Sequence, residues 1–257
     1  MNVKLSKYHC CENSFLITVY KNGINYNELA LKLCSKEKYD VDGLLVLNID
    51  PIEVVFFNKD GSEANMCGNG LNCLVHYCYD KYKIYKYIKF KTKAGEFECE
   101  MIKKTPFYSC VNLKSGKYYN NTIKKKINFN GKDYEVSLYE LGVLHAIIIV
   151  DDLEELIGKE VFENEHFNSN VNINFVKIIN NNTFEMITYE KGVGYTKACG
   201  TGAGACGYIL NKYYSLDPIL NVLTKGGIIQ VEINDNIYIK AESVFLENIE
   251  VILWKYC

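Results

Sequence analysis

The sequence lacks the segments that would direct a chain into or across a membrane. The stretch Met1–Tyr8 contains no apolar core of a signal peptide, and no run approaches the roughly 20 apolar residues of a membrane span. The formal net charge is only −2, and the lysines are scattered without a basic face. These absences argue against a membrane or nucleic-acid partner and predict a cytoplasmic protein.

Paired cysteine motifs are also missing, although cysteine itself is abundant. The chain has 11 cysteines in 257 residues, an odd number at irregular spacing and without a C-x-x-C. Because no signal sequence is present, we expect reduced thiols rather than a disulfide framework. The lack of C-x-x-C argues against a zinc ribbon or a thioredoxin-like site. Motifs for a pyridoxal lysine or a metal are absent as well, so no cofactor is predicted.

Two stretches resemble each other about half a chain apart. The first is Asp60-Gly-Ser-Glu-Ala-Asn-Met-Cys67-Gly-Asn-Gly70, and the second is Glu190-Lys-Gly-Val-Gly-Tyr-Thr-Lys-Ala-Cys199-Gly-Thr-Gly202. Each places a cysteine directly before a Gly-x-Gly turn, and apolar runs at helical spacing predict helices over 70–82 and 202–214. The pattern Asp60-x-x-Glu63 fits a capping box for the first helix. The repetition predicts one thiol per half of the molecule, meeting at a shared site.

The remaining pattern indicates many strands and one further helix, 27–34. The strands predicted in the first half are 3–9, 15–20, 43–47, 53–57, 87–92, 96–101 and 108–113. Those predicted in the second half are 126–129, 133–138, 145–150, 171–178, 183–188, 222–224, 228–233, 237–241 and 245–254, with a short helix around 153–157. The polar segment 114–121 is the candidate linker. This order predicts an α+β fold with one central helix in each half.

A cysteine at the start of each predicted helix points to acid–base chemistry. The positive end of a helix dipole lowers the pKa of a thiol placed there, and the thiolate is the reactive form. Backbone N–H groups of 68–70 and 200–202 could bind the carboxylate of an amino acid. One thiolate would then remove the α-proton while the other thiol returns a proton to the opposite face. The alternative is that each motif is only a tight strand-to-helix turn with a buried cysteine. Cys73 and Cys206 fall inside the two predicted helices, and we interpret them as core residues.

At these residues the chain resembles the diaminopimelate epimerase family. The resemblance covers 58–70 and 190–202, and it extends to Lys7-Tyr-His9 with Asn13 and to Asp42-Gly-Leu-Leu-Val46. It implies an isomerase that needs no cofactor, with two pseudo-symmetric domains, each a β-sheet or barrel wrapped around a central helix. The implied domains are 1–116 with 246–257, and 117–245. A homodimer acting on a small amino-acid substrate is expected.

The resemblance also implies roles for individual residues. It makes Cys67 and Cys199 the acid and base and places Glu190 and His145 beside them, although a core histidine is an alternative for His145. The residues expected to bind the reacting carboxylate and amine are Asn13, Gly68, Asn69, Gly70, Gly200, Thr201 and Glu190.

Departures from the family pattern bear on the substrate. Asn58 and Asn172 match residues that hold a second amino-acid head in the family, whereas Lys191 stands in place of an arginine and Val143 in place of an asparagine. Lysine lacks the planar guanidinium that forms two parallel hydrogen bonds with a carboxylate, and the valine side chain can form no hydrogen bond. We therefore expect a substrate with one α-centre, specifically histidine. The alternatives are a diaminopimelate or lanthionine epimerase, a thiol isomerase or hydrolase using one cysteine, and an inactive binding protein of the same fold.

Overall fold

The computed structural model describes residues 2–84, 86–118, 125–129, 132–153, 171–191 and 193–252. Contacts divide the chain into two units, Met1–Asn112 with Lys240–Cys257, and Leu113–Ile239. The domain limits expected at residues 116 and 246 differ from these by 116 − 112 = 4 and 246 − 240 = 6 residues, and they stay a prediction.

Three helices lie in the described part of the chain: α1 (Tyr26–Leu33), α2 (Gly68–Tyr82) and α3 (Gly200–Tyr214). The helix α1 begins after Asn25, whose side chain accepts the backbone N–H of Glu28. Both α2 and α3 end at a residue in the left-handed conformation, Lys83 and Ser215. Among the described residues, none of the helices has the length and apolar character to cross a membrane. The helix expected around 153–157 falls largely on residues outside the described part.

The first unit contains eight strands and the greater part of a ninth. They are β1 (Asn2–Cys10), β2 (Asn13–Val19), β3 (Gly43–Ile49), β4 (Ile52–Asn58), β5 (Glu63–Ala64), β6 (Tyr87–Thr92), β7 (Gly95–Lys104), β8 (Phe107–Asn112) and β18 (Ile237–Ile252). The pairs β2–β3 and β4–β6 are parallel, whereas β1 pairs antiparallel with both β2 and β18. Because β8 also pairs with β18, the pairings close on themselves.

The core of the first unit forms around α2. This helix packs against β1, β2, β7 and β8, and it buries an almost continuous run from Gly68 to Val75. A helix that is buried on most of its sides needs residues that are apolar or small, or polar with hydrogen-bond partners. The two polar residues of this run have such partners: Asn69 accepts from Cys10, and Asn72 donates to the carbonyl of Gly68 and accepts from Ser109. The strands packed around α2 hold the N-terminus of this helix in a fixed place.

The second unit repeats this arrangement. Its strands are β9 (Lys117–Tyr118), β10 (Lys125–Phe129), β11 (Lys132–Leu141), β12 (Val143–Ile149), β13 (Val171–Asn180), β14 (Thr183–Glu190), β15 (Gly194–Thr196), β16 (Ile219–Thr224) and β17 (Gly227–Ile233). The pairs β12–β13 and β14–β16 are parallel. Helix α3 packs against β11, β12, β13, β16 and β17. Small residues permit this, since a Cβ at Gly207 would lie 2.9 Å from Cγ1 of Val231.

The α+β fold expected from the sequence is confirmed, whereas several local expectations were wrong. The strands predicted at 237–241 and 245–254 are one continuous strand, β18. The candidate linker 114–121 follows the boundary between the units at Asn112 and Leu113, and its described part contains β9. Asp60 and Glu63 do not cap α2, because Asp60 instead accepts hydrogen bonds from Ser62 in a tight turn and Glu63 lies in β5. Both central helices begin two residues earlier than predicted.

Candidate active site

Cys67 is itself the N-cap of α2. Its backbone is extended (φ −142°, ψ 121°), and its sulfur accepts the backbone N–H of Gly70 at 3.4 Å. The Sγ atom also lies 3.7 Å from Oδ1 of Asn13, an arrangement in which the thiol S–H donates. A thiol in the N-cap position meets the positive end of the helix dipole, which favours its ionised form. Cys67 is partly exposed.

Cys199 has the same place in the second unit, as the N-cap of α3. Its backbone angles are φ −127° and ψ 110°, and its sulfur accepts the N–H of Gly202 at 3.4 Å. The hydroxyl of Thr201 lies 3.5 Å from the sulfur. Cys199 is 7% exposed, so its sulfur has less water around it than that of Cys67.

The turn between β1 and β2 carries Asn13 to Cys67. Cys11 and Glu12 occupy this turn with positive φ angles of 51° and 56°, and Asn13 then pairs with Cys10 in the strand ladder. Asn69 is buried, and its Oδ1 lies 3.9 Å from Sγ of Cys10. The structure therefore brings three of the predicted residues of the first unit together: Cys67, Asn13 and Asn69, which directly precedes Gly70.

His145 is fully buried in β12 and lies between two polar side chains. Its Nε2 is 3.1 Å from Oγ1 of Thr201, and its Nδ1 is 3.2 Å from Nδ2 of Asn174. Burial lowers the pKa of His145 to about 3, because a charged imidazole would lose its hydration there. The ring is thus neutral near neutral pH, and Thr201 links it to Cys199, because the Thr201 hydroxyl lies near both.

Glu190 ends β14, next to the short strand β15. Its Oε1 accepts the hydroxyl of Thr196 at 2.8 Å, and its backbone pairs with Gly194. Thr196 is therefore a neighbour that fixes the direction of this carboxylate. Glu190 and Cys199 belong to the same unit.

The residues expected to hold the rest of the substrate lie at strand ends. Oδ1 of Asn172 accepts the backbone N–H of Lys191 at 3.0 Å, and Nδ2 of Asn58 donates to Ser62 at 3.0 Å. Val143 is 39% exposed at the start of β12. An exposed apolar residue at this place can line a ligand pocket without being part of the core.

Two polar residues near Cys199 were missed by the sequence analysis. Asn174 and Thr188 are buried in neighbouring strands, and Thr188 donates its hydroxyl to Oδ1 of Asn174 at 3.0 Å. The available signal was a polar side chain inside an otherwise β-branched strand, where an unpaired amide would be costly. Within the described ranges, no three side chains of His, Cys, Asp or Glu converge in a way that could hold a metal ion.

Comparison with known proteins gives matches over almost the whole chain. The family model "Diaminopimelate epimerase" matches residues 5–118 and 138–243. A diaminopimelate epimerase of Alkaliphilus metalliredigens is 31% identical, over 91% of each chain. One from Caldanaerobacter subterraneus subsp. tengcongensis is 33% identical, over 97% of this chain and all of its own.

Solved structures show the same fold at low sequence identity. A hydroxyproline epimerase from Agrobacterium vitis, with bound trans-4-hydroxy-L-proline, has a TM-score of 0.77 at 12% identity and covers 97% of this chain and 92% of its own. A phenazine biosynthesis protein of the PhzF family from Enterococcus faecalis has a TM-score of 0.74 at 12% identity, over 98% and 100% of the two chains.

Proposed function

Since this chain belongs to the diaminopimelate epimerase family, which makes it an isomerase, we propose that it inverts the α-carbon of an amino acid by means of two cysteine thiols. One observation carries this proposal. Cys67 and Cys199 each cap a central helix of 15 residues, and each sulfur accepts a backbone N–H from the glycine three residues later. A cysteine that only fills a core has no need of this repeated position.

The proposed reaction balances protons between the two thiols. A thiolate takes the proton from Cα and becomes a thiol, and the electron pair stays on the substrate as an enolate-like anion. The other thiol gives its proton to the opposite face of Cα and becomes a thiolate. Inversion therefore leaves the enzyme with its charge unchanged and its proton moved from one sulfur to the other.

Backbone N–H groups at the two helix N-termini are proposed to bind the substrate carboxylate. The first turns are 68–70 in α2 and 200–202 in α3, and neither contains an acidic side chain. Negative charge on the carboxylate grows as the α-proton leaves, so donors fixed in place stabilise the transition state more than the ground state. Asn13, Asn69, Thr201 and Glu190 complete the proposed contacts with the carboxylate and amine.

Histidine is the substrate that we propose. The chain contains no arginine at any position, so neither this chain nor a second copy can supply a bidentate grip on a distal carboxylate. Val143 offers an apolar surface where a second charged head would need a hydrogen-bond donor. Asn58 and Asn172 remain to contact a polar ring.

Diaminopimelate is the second candidate, and the names of the relatives favour it. Proteins 31% and 33% identical over nearly the whole chain are named diaminopimelate epimerase. Lys191 could attract a distal carboxylate as a point charge, although less selectively than an arginine. Lanthionine, which also has two amino-acid heads, belongs to the same alternative.

The test is proton exchange at Cα in deuterated water. The reduced protein is incubated separately with L-histidine, diaminopimelate and lanthionine, and proton NMR follows the loss of the Cα–H signal. We expect exchange with histidine, and we expect none in Cys67→Ala or Cys199→Ala. Cys206→Ala is the matched control, because Cys206 is a fully buried thiol of the same helix as the Cys199 cap, and it should retain exchange.

The outcomes separate the alternatives. Exchange with diaminopimelate or lanthionine alone would show that histidine is not the substrate, and it would remain consistent with the two-thiol mechanism. Exchange that survives Cys199→Ala would favour an enzyme using one cysteine. No exchange with any amino acid would favour a binding protein. A homodimer in the cytoplasm is part of the same proposal, and the molar mass in solution tests the dimer.

A further inference from the structure

We propose that Thr188, Asn174 and His145 form a buried relay that turns the hydroxyl proton of Thr201 toward Cys199, and so stabilises the thiolate form of this cysteine. The inference rests on the proposed function and deepens it, since it says how one of the two thiols is prepared to accept a proton. Asn174, Thr188 and His145 are positioning residues in this scheme, because they act on Cys199 through Thr201.

The relay starts with the orientation of the Asn174 amide. Its Nδ2 lies 3.2 Å from the carbonyl oxygen of Ala146, which can only accept a hydrogen bond, so the nitrogen must be on this side. Its Oδ1 then faces the hydroxyl of Thr188 at 3.0 Å. The amide is thus fixed at both ends, and both residues are buried from water.

The fixed amide selects one tautomer of His145. Nδ2 of Asn174 is 3.2 Å from Nδ1 of His145 and, being an amide N–H₂ group, cannot accept a hydrogen bond, so Nδ1 has to be the unprotonated, accepting nitrogen. The carbonyl oxygen of Asn172 also lies near Nδ2, at 3.5 Å. The ring is neutral at ordinary pH because of its complete burial, and therefore it carries its single N–H proton on Nε2. A neighbour that sets the tautomer of a histidine also sets what the opposite nitrogen can do.

The Nε2–H of His145 then determines the direction of the Thr201 hydroxyl. Nε2 lies 3.1 Å from Oγ1 of Thr201 and donates to it, which leaves the hydroxyl proton for another acceptor. Sγ of Cys199 is 3.5 Å from the same oxygen. The sulfur thus receives this proton in addition to the N–H of Gly202. Two donors aimed at one sulfur stabilise the thiolate over the thiol.

The alternative role for these residues is purely structural, as a satisfied polar group in the core. Two substitutions distinguish the roles because they keep side-chain volume. In Asn174→Asp the carboxylate cannot donate to Nδ1, so His145 should move its proton to Nδ1 and accept the Thr201 hydroxyl on Nε2. In Thr201→Val the hydroxyl itself is removed. Both should remove the Thr201 hydroxyl as a donor to Cys199.

The first measurement is the alkylation rate of Cys199 by iodoacetamide without substrate, read by peptide mass spectrometry. We expect Asn174→Asp and Thr201→Val to slow labelling about tenfold at about pH 7, where the thiolate fraction limits the rate, and to leave it unchanged at about pH 10. Thr188→Val should slow it in the same direction, and Thr188→Ser should restore it. The matched control is Thr18→Val, a buried strand hydroxyl of the first unit that donates to the carbonyl of Lys4. It should have no effect on Cys199.

The second measurement is the nitrogen-15 NMR spectrum of histidine-labelled protein, which reports the tautomer of each ring. His145 should carry its proton on Nε2 in the wild type and on Nδ1 in Asn174→Asp. Equal labelling rates at about pH 7 in the wild type and Thr201→Val, or a wild-type proton on Nδ1, would overturn the relay. Neither readout needs turnover, so failure of the proposed reaction with every amino acid is a separate result. If Asn174→Asp does not fold, the labelling rate of Cys199 in Thr201→Val and the tautomer of His145 in the wild type still test the relay.

Discussion

Gly202 lies directly against Asn174, with no room for a side chain between them. A Cβ at residue 202 would be 2.5 Å from Oδ1 of Asn174 and 3.3 Å from Sγ of Cys199. A contact under 3.0 Å to an amide that is held at both ends cannot be relieved by a simple rotation. The glycine that donates to the thiol is therefore also the residue that lets the helix start approach the buried amide.

Gly202→Ala tests this close approach. The methyl group should displace Asn174 or the first turn of α3, and we expect Cα exchange to fall about a hundredfold, as displacements near 1 Å in an active site do. The control is Gly207→Ala, in the same helix, where the new methyl group meets Cγ1 of Val231 at 2.9 Å. That variant should lower the melting temperature and retain exchange. Wild-type exchange in Gly202→Ala would contradict the fixed position of Asn174.

The buried state of His145 predicts acid sensitivity. Its pKa in the folded chain is about 3, below the ordinary value of 6.5. Between these two pH values, the unfolded chain binds a proton at this imidazole and the folded chain does not. The stability from this group is complete above the unfolded pKa and is lost as pH falls from 6.5 toward 3. At about 1.4 kcal/mol per pH unit, the loss is about 2 kcal/mol at about pH 5. Urea unfolding of wild type and His145→Gln measures it, because the variant should lack this part of the pH dependence. If the free energy of unfolding fell equally steeply with pH in the wild type and in His145→Gln, the imidazole would have to be exposed to water in the folded protein.

Burial also predicts which thiols are inert. Burial raises the pKa of Cys34 and Cys78 to about 12, so both should resist alkylation at about pH 8 until the chain is unfolded. Cys10 and Cys11 share a hydrogen bond that raises the pKa of Cys10 and lowers the pKa of Cys11. Cys11 should therefore be modified before Cys10. Peptide mass spectrometry after timed labelling gives the order, and early labelling of Cys34 would contradict its place in the core.

Sequence periodicity located the strands and central helices because each buries an apolar face that repeats along the chain. The capping box at Asp60 and Glu63 failed, since the cysteine itself caps the helix and capping preferences are built on oxygen side chains. The break predicted within β18 failed because pairing with β1 already begins at Ser243 and Val244, inside the predicted break. Strands as short as β5, of two residues, carry no period at all.

The relay to Cys199 could not be predicted from the sequence, for a different reason. His145 and Thr201 are 56 positions apart, and Asn174 and Thr188 come from two further strands. Their meeting depends on the register of three strands and on the helix start, which a local pattern does not contain. The position of Cys67 and Cys199 at the two helix starts was predictable because each motif is continuous in sequence.

The substrate proposal predicts that two substitutions should change specificity. Val143→Asn with Lys191→Arg restores the amide and the guanidinium that the family pattern has at these positions. Both side chains are exposed at strand ends, so folding should tolerate the change, and a bidentate grip on a distal carboxylate becomes possible. Exchange with diaminopimelate should rise at least about tenfold relative to histidine, the usual worth of one charged hydrogen bond. The measurement is Cα exchange with both substrates in one competition experiment.

The control for this pair of substitutions is Val193→Asn, at another exposed apolar residue of the second unit, and it should leave the ratio of the two exchange rates unchanged. A wild type that already prefers diaminopimelate, with no change in the double variant, would show that Val143 and Lys191 do not select the substrate.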